Sequence, residues 1–176
     1  MNYTSLIPDS IIDLFQFGIL NAHGGDLPRY RGNACQAWAI LNGEEEIGLC
    51  VHKMQGGKLD SGDILLREYL PININTKITD CWKWMNKMIP KMFLNAVNKI
   101  DQNTVVFEQQ FLNLKNILRC YPRTLEDSKI DWSKSAKDVL RLINASNHPY
   151  AGAFCKYQNN VMIIWDAELV NDDENF

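Results

Sequence analysis

The sequence predicts an α/β fold, and three observations carry that prediction. Short apolar runs bounded by turn residues alternate with segments whose apolar residues recur at helical spacing. A chain of 176 residues with 46% hydrophobic content is long enough to bury a sizeable core. A final apolar pair of segments, separated by Gln158-Asn-Asn160, reads as a β-hairpin extension.

From the N-terminus, residues 10–15 read as a short helix capped by Asp9 or Ser10, and Phe17 to Leu20 as a brief strand that stops at Asn21. Asn33 to Asn42 carries Ala34, Ala37, Trp38, Ile40 and Leu41 at mixed three and four spacing, with Gly43 as the stop of a helix. Two strands follow, Ile47 to Val51 and Asp63 to Leu70, joined by the glycine-rich loop His52 to Gly62. Between Thr79 and Ile100 the positions Trp82, Met85, Ile89, Met92, Val97 and Ile100 keep the helical period. Thr79 is the expected cap and Pro90 the expected kink or break.

Asn113 to Asp131 reads as a loop, after which Ser135 and Asp138 form a variant capping box for a helix over Ala136 to Asn144. Ala153 to Tyr157 and Val161 to Ala167 make the hairpin, and Asn171 to Glu174 an acidic, frayed tail. Residues 1–112 are therefore expected to form a catalytic core, and 113–176 a linker, helix and hairpin extension. The strands of the core are expected to run parallel.

A net charge of −3 offers no clustered basic surface for a nucleic-acid backbone. No apolar run reaches membrane-spanning length and no signal-peptide pattern opens the chain, so a cytoplasmic location is expected. Cys35, Cys50, Cys81, Cys120 and Cys155 are odd in number and scattered, with no Cys-x-x-Cys pair, and read as reduced, mostly buried thiols. His52 and His148 have no partner spaced for a metal site. The triplets at Asn2 and Asn144 are chance glycosylation matches.

Chemistry concentrates in Asn21 to Gly32 and Leu59 to Asp63. An amide, an imidazole and a carboxylate on turn-rich segments can stabilise an oxyanion, move a proton and orient the base, which are the parts of an acyl transfer site. His23 is expected just past a strand end, where ligands bind in open α/β sheets. Its plainer alternative is a hydrogen-bonded structural histidine, and that of Asn21 a turn cap. Asp60 and Asp63 flank Ser61-Gly62, and spacing permits either to serve His23. Arg29 and Arg31 are fixed forks suited to phosphate, or solvated charges beside Pro28. With Tyr30 between them they form the candidate substrate-binding stretch.

Taken in order, Asn21-x-His23, Leu27-Pro-x-Tyr-Arg-Gly32, Ala39-Ile-Leu-Asn-Gly-Glu44 and Leu59-Asp-Ser-Gly-Asp63 resemble the folate-dependent formyltransferase family. Cys120-Tyr-Pro-Arg-Thr124, Asp127 to Trp132 and Asn144-Ala145 look most like its nucleotide-sugar N-formyltransferase branch. The resemblance implies a partial Rossmann-like formyltransferase core, the C-terminal half of the sheet. About 80 to 100 residues of the family's first half are expected to be missing ahead of it. It further implies transfer of formyl from N10-formyltetrahydrofolate to an amine, most simply that of a nucleotide-linked amino sugar, with no metal and no covalent enzyme intermediate. His23 would then transfer the proton, Asn21 stabilise the oxyanion and Asp60 orient the imidazole. The loop carrying Met54, Gly56, Gly57, Leu59 and Asp60 would lie against the pterin.

The family's loop after its histidine departs here to Gly24-Gly25-Asp26, which adds a carboxylate near the acceptor pocket. Two rival readings stand beside the first. One is a non-catalytic remnant or interaction subunit whose exposed sheet edge pairs with a second copy or a partner chain. The other is an enzyme that resembles methionyl-tRNA formyltransferase.

Overall fold

The computed structural model describes residues 6–111 and 117–170. Its centre is a three-stranded sheet of β1 (Leu20–His23), β3 (Glu46–Lys53) and β4 (Ile64–Pro71), in the order β1-β3-β4. β1 pairs with β3 from Leu20 opposite Lys53 to His23 opposite Cys50. β3 is central and covered on both faces, so nearly every residue in it is buried. Its pairing with β4 carries an irregularity where Val51 faces Leu66 but His52 faces Ile64. The additional β4 residue there locally bends the ladder, as bulges do. Among the described strands, β1 is paired along one side only.

The mixed α/β architecture is as the sequence predicts, but the strand directions are not. Both pairings of the central sheet are antiparallel, and the parallel pair is β2 (Tyr30–Gly32) with β5 (Leu118–Cys120). β3 and β4 are consecutive strands joined by one loop, a connection that returns the chain in the opposite direction. β5 lies within the stretch read as loop, because three residues carry too little periodicity to signal a strand.

Alternation along β1 and β3 divides the side chains between two layers. Leu20, Ala22, Leu49 and Val51 pack against α3 (Ile78–Asp101) around Met92 and Ala96. α2 (Cys35–Asn42) fills a second apolar cluster with Tyr30, Ile47, Ile78, Cys81 and Cys120. Asn21, His23, Cys50 and His52 occupy the alternate register of the sheet. α2 ends at Gly43, whose φ of 69° supplies the left-handed cap that the sequence predicts.

Several boundaries shift for local reasons. α1 is only Asp9–Ile12 and has no side-chain cap; the Asp9 carboxylate instead accepts from the Gly56 amide at 2.7 Å. Gly18, at φ 71°, closes a turn onto Phe15, so β1 begins at Leu20 rather than Phe17. Asn21 and His23 therefore lie within a strand and not beyond it. α3 continues through Pro90, which sits on the exposed face where water can serve the carbonyl that proline leaves unpaired. Thr79 is inside that helix and donates to the His148 carbonyl at 2.9 Å.

The remaining elements are a 3₁₀ turn at Glu126–Ser128, α4 (Ala136–Ala145) and the hairpin of β6 (Ala153–Tyr157) and β7 (Asn160–Ile164). Ser135 caps α4 by accepting from the Asp138 amide at 3.2 Å. The hairpin turns through Gln158 and Asn159, both at positive φ, the geometry that matches strand twist. Arg123 locks this region together. Its guanidinium donates to the carbonyls of Ala145 and Asp127 at 2.6 and 2.7 Å and to the Ser146 hydroxyl at 2.9 Å, over the ring of Tyr150. All five cysteines are free and buried. Asn171 to Glu174 lies outside the described residues. Among the described residues no helix is long and apolar enough to cross a membrane.

Candidate active site

Residues two apart on a strand share a face, which puts Asn21 and His23 side by side on β1. The antiparallel register then sets His52 directly opposite Asn21. Asp60 arrives from the loop between β3 and β4, with its backbone at φ 45°, a region that aspartate tolerates better than most residues. Asp60 Oδ2 lies 3.5 Å from His23 Nδ1, and Oδ1 lies 3.8 Å from His52 Nε2. His23 is 6% exposed and His52 2%, while Asn21 and Asp60 are half-buried. Asp60 is thus the carboxylate that meets His23, of the two that spacing allowed.

The loop is held by contacts invisible in the local sequence. Gln110 donates from its amide to the carbonyls of Asp60 and Gly62 at 3.1 and 2.6 Å, and accepts from Arg31 at 3.0 Å. The Gly32 amide donates to Asp60 Oδ2 at 3.0 Å. Asp60 is therefore fixed at backbone and side chain by β2 and by Gln110, the positioning that a catalytic carboxylate requires.

Hydrogen-bond chemistry assigns the protons. His23 Nε2 lies 2.7 Å from the Tyr30 carbonyl, which can only accept, so Nε2 carries hydrogen. Nδ1 is then the basic nitrogen, and it faces Asp60. A proton arriving there would be shared with a carboxylate, which is how an imidazole base is oriented. In His52 the Nδ1 atom donates to the Lys53 carbonyl at 2.8 Å, leaving Nε2 as acceptor toward Asn21 Nδ2 at 3.3 Å. Burial, chiefly, with the nearby His23 ring and Arg31 acting in the same direction, holds the His52 imidazole below the usual histidine range.

Cys35 adds a thiol 3.7 Å from His23 Nε2, so that thiol, imidazole and carboxylate form a line. It is not a nucleophilic array. The Cys35 thiol is 2% exposed and shares a hydrogen bond with the Cys120 thiol, and that hydrogen bond and burial push it far above the ordinary thiol range.

The other residues singled out by sequence divide into two groups. Arg29 is exposed and makes a two-pronged pair with Glu44 at 2.8 and 2.6 Å. Tyr30 is buried and donates its hydroxyl to the same carboxylate at 2.7 Å, with burial raising its phenol. Arg31 turns inward instead, to Gln110, and its Nε has no partner. Asp26, the added carboxylate, is tied to Arg67 and the Tyr69 hydroxyl.

Met54 pairs its amide with the Ile19 carbonyl and lines a cavity of about 680 Å³ with Phe15, Phe17, Ile19 and Phe107. Asn21, His23 and Asp60 do not line that cavity. Gly56 is docked on Asp9, Gly57 is open with nothing within 4 Å of where a Cβ would stand, and Leu59 is half-buried. His52 and Gln110 were not among the candidates. The alternation of β3, with Cys50 and His52 in one register and Leu49 and Val51 in the other, is the signal that places His52 on the face of His23. Gln110 leaves no local signal.

The profile of the family described as Formyl transferase matches residues 1–97, and that of its C-terminal domain matches residues 123–176. Methionyl-tRNA formyltransferase of Clostridium tetani (strain Massachusetts / E88) is 30% identical over 176 residues, covering 99% of this chain. The chain spans 55% of the length of that curated relative.

Among solved structures, the N-formyltransferase from Helicobacter canadensis in complex with folinic acid and dTDP-3-aminofucose superposes with a TM-score of 0.78 at 21% identity. The match covers 100% of this chain and 63% of that one. A HypX variant from Aquifex aeolicus superposes with a TM-score of 0.76 at 20% identity, over 98% of this chain and 30% of its own. With both of its profiles matched across most of the sequence, the chain belongs to the formyl transferase family.

Proposed function

We propose that this protein transfers a formyl group from N10-formyltetrahydrofolate to the amino group of a nucleotide-linked amino sugar. The carrying observation is the meeting of Asn21, His23 and Asp60 at one place, from a strand and a loop separated in sequence by β2, α2 and all of β3. The residues present fit a folate. A cavity of about 680 Å³ opens beside Met54 with a mixed lining, aromatic at Phe15, Phe17 and Phe107 and polar at Gln16, Lys53 and Asn103, as a fused ring carrying polar edges requires, and Gly57 leaves free space on the same loop.

Met54, Gly56, Gly57 and Leu59 would hold the pterin by backbone and apolar contact. When bound, the folate supplies a formyl carbon attached to a nitrogen able to depart with its electron pair. Asn21 keeps one Nδ2 hydrogen on His52 and has a second to donate where oxygen gains negative charge. His23 would take the proton lost by the attacking amine at Nδ1, Asp60 would stabilise the imidazolium that results, and the same proton would pass on to the departing folate nitrogen, leaving His23 neutral again. Arg31 is the residue of the Arg29 to Arg31 stretch drawn toward this cluster. Arg29 and Tyr30, committed to Glu44, support the acceptor loop from behind.

The solved Helicobacter canadensis complex, which holds an amino sugar nucleotide, supports the sugar acceptor. A second acceptor, the amino group of methionyl-tRNA, is favoured by the Clostridium tetani relative, and the net charge of −3 weighs against so large a polyanion. The test is calorimetric titration with 5-formyltetrahydrofolate, followed by N10-formyltetrahydrofolate with each acceptor in turn. Micromolar binding, about −8 kcal/mol, and formylation of an amino sugar nucleotide is the expected result. Formylation of methionyl-tRNA alone would favour the second acceptor, and absence of folate binding would sink both.

A further inference from the structure

We infer that His52 is a positioning residue that decides which end of the Asn21 carboxamide faces the reacting centre. The inference rests on the formyl transfer reading for its consequence, but its geometry stands on the contacts alone. A carboxamide is nearly symmetric in shape, and its oxygen and nitrogen exchange places on a half-turn about χ2. Only the nitrogen end can donate to an oxyanion. A residue that fixes the flip therefore fixes whether the donor exists.

The chain of constraint starts at a backbone carbonyl. Lys53 O can only accept, so His52 Nδ1, at 2.8 Å, carries the hydrogen. In the neutral ring this leaves Nε2 as a bare acceptor, 3.3 Å from Asn21 Nδ2. The Asn21 oxygen placed there would set two lone pairs against each other, so the amide is held with its nitrogen toward His52 and its second N–H unspent. The antiparallel register that puts Asn21 opposite His52, and the bulge of the β3–β4 ladder at His52, keep the two side chains in this relation.

Protonation of His52 would reverse the latch. Nε2 would become a donor, attract the Asn21 oxygen and turn the amide nitrogen away. The titratable and charged groups that face His52 are the His23 ring, at 6.2 Å between centroids, the Asp60 carboxylate at 3.8 Å and Arg31. His23 and Arg31 oppose the positive charge and Asp60 favours it. Burial at 2% exposure tips the balance toward the neutral ring.

The test is ¹⁵N NMR of the full chain, which needs neither folate nor acceptor. The expected spectrum shows His52 as the Nδ1–H tautomer and one Asn21 Nδ2 hydrogen bonded to a ring nitrogen, detected by coupling across the N–H···N bond. As pH falls, the His52 ring and the Asn21 amide should titrate with one midpoint. His52→Gln, whose side-chain oxygen also accepts, should retain a protected Asn21 amide, and His52→Leu should lose it. An Nε2–H tautomer in the unaltered chain overturns the inference even if neither variant folds.

An Asn21 amide unmoved in His52→Leu overturns it equally. In turnover, His52→Leu should lower kcat by about a hundredfold, the cost of one lost oxyanion donor, with KM for the folate little changed and His52→Gln restoring much of the rate. The NMR signature without any formyl transfer would sink the proposed reaction and leave the latch intact. Transfer with the signature absent would sink the latch alone.

Discussion

His23 and Asp60 face each other across 3.5 Å, with the imidazole's other nitrogen bound to the Tyr30 carbonyl at 2.7 Å. One side of the ring is anchored and the other is aimed at a carboxylate, so the basic nitrogen has a defined direction. His23→Ala should reduce formyl transfer by about 10² to 10⁴-fold. Binding of 5-formyltetrahydrofolate should be nearly unchanged, and single-turnover kinetics beside calorimetry separates the two effects.

Asp60 is constrained twice, by its charge and by its left-handed backbone at φ 45°. Asp60→Asn keeps the conformation, which asparagine also adopts, and can still accept from the Gly32 amide. It should fold normally and lose about 10²-fold or more in rate. Asp60→Glu moves the carboxylate and adds backbone strain, so it should lower both rate and melting temperature.

Gln110 satisfies two buried carbonyls and one guanidinium at once. Gln110→Leu strands these groups and should destabilise the fold by about 2 to 3 kcal/mol, read by urea unfolding. Its effect on rate should exceed that of a surface change of equal stability, because the Asp60 loop is released.

Much of this arrangement was legible in the sequence, and the reasons for the exceptions differ. α2 and its Gly43 stop, the Ser135 cap of α4 and the Gln158-Asn159 turn are decided by residues within a few positions of each other, so local rules find them. β1 was displaced by three residues because Gly18 spends its conformation on a turn, a choice that apolar patterning does not register. β5 exists only through its pairing with β2, nearly ninety positions earlier in the chain. A separation of 50 positions likewise hid Gln110 from Asp60. His52 was weighed and set aside for want of a partner at metal-site spacing, since its value comes from the strand that lies opposite.

The buried, neutral His52 sets a pH dependence of stability. Its folded-state affinity for protons lies below that of the unfolded chain, whose histidine titrates near 6.5. The unfolded state therefore binds the proton first. Stability from this group is complete above about pH 6.5 and falls as pH drops below it, by up to about 1.4 kcal/mol per pH unit until the folded protein also takes the proton. Urea unfolding between pH 7 and 5 should show this slope, and His52→Gln should flatten it.

Arg123 offers a prediction away from the site. Its guanidinium ties the 3₁₀ turn to the end of α4 through two carbonyls and a hydroxyl. Arg123→Met keeps much of the side-chain volume and removes all of these bonds, for an expected loss of about 2 to 3 kcal/mol. Hydrogen exchange should locate the loosening in residues 123–150, with the β1–β3 ladder still protected.

The one-sided pairing of β1 bears on control as well as shape. The strand that carries Asn21 and His23 is also the margin of the sheet, with an open row of backbone donors and acceptors along it. Any segment that joins this margin adds its backbone directly beside the two reactive side chains. A segment paired along this four-residue strand would lie next to Asn21 and His23, so growth of the sheet and the proposed formyl transfer would meet at one margin.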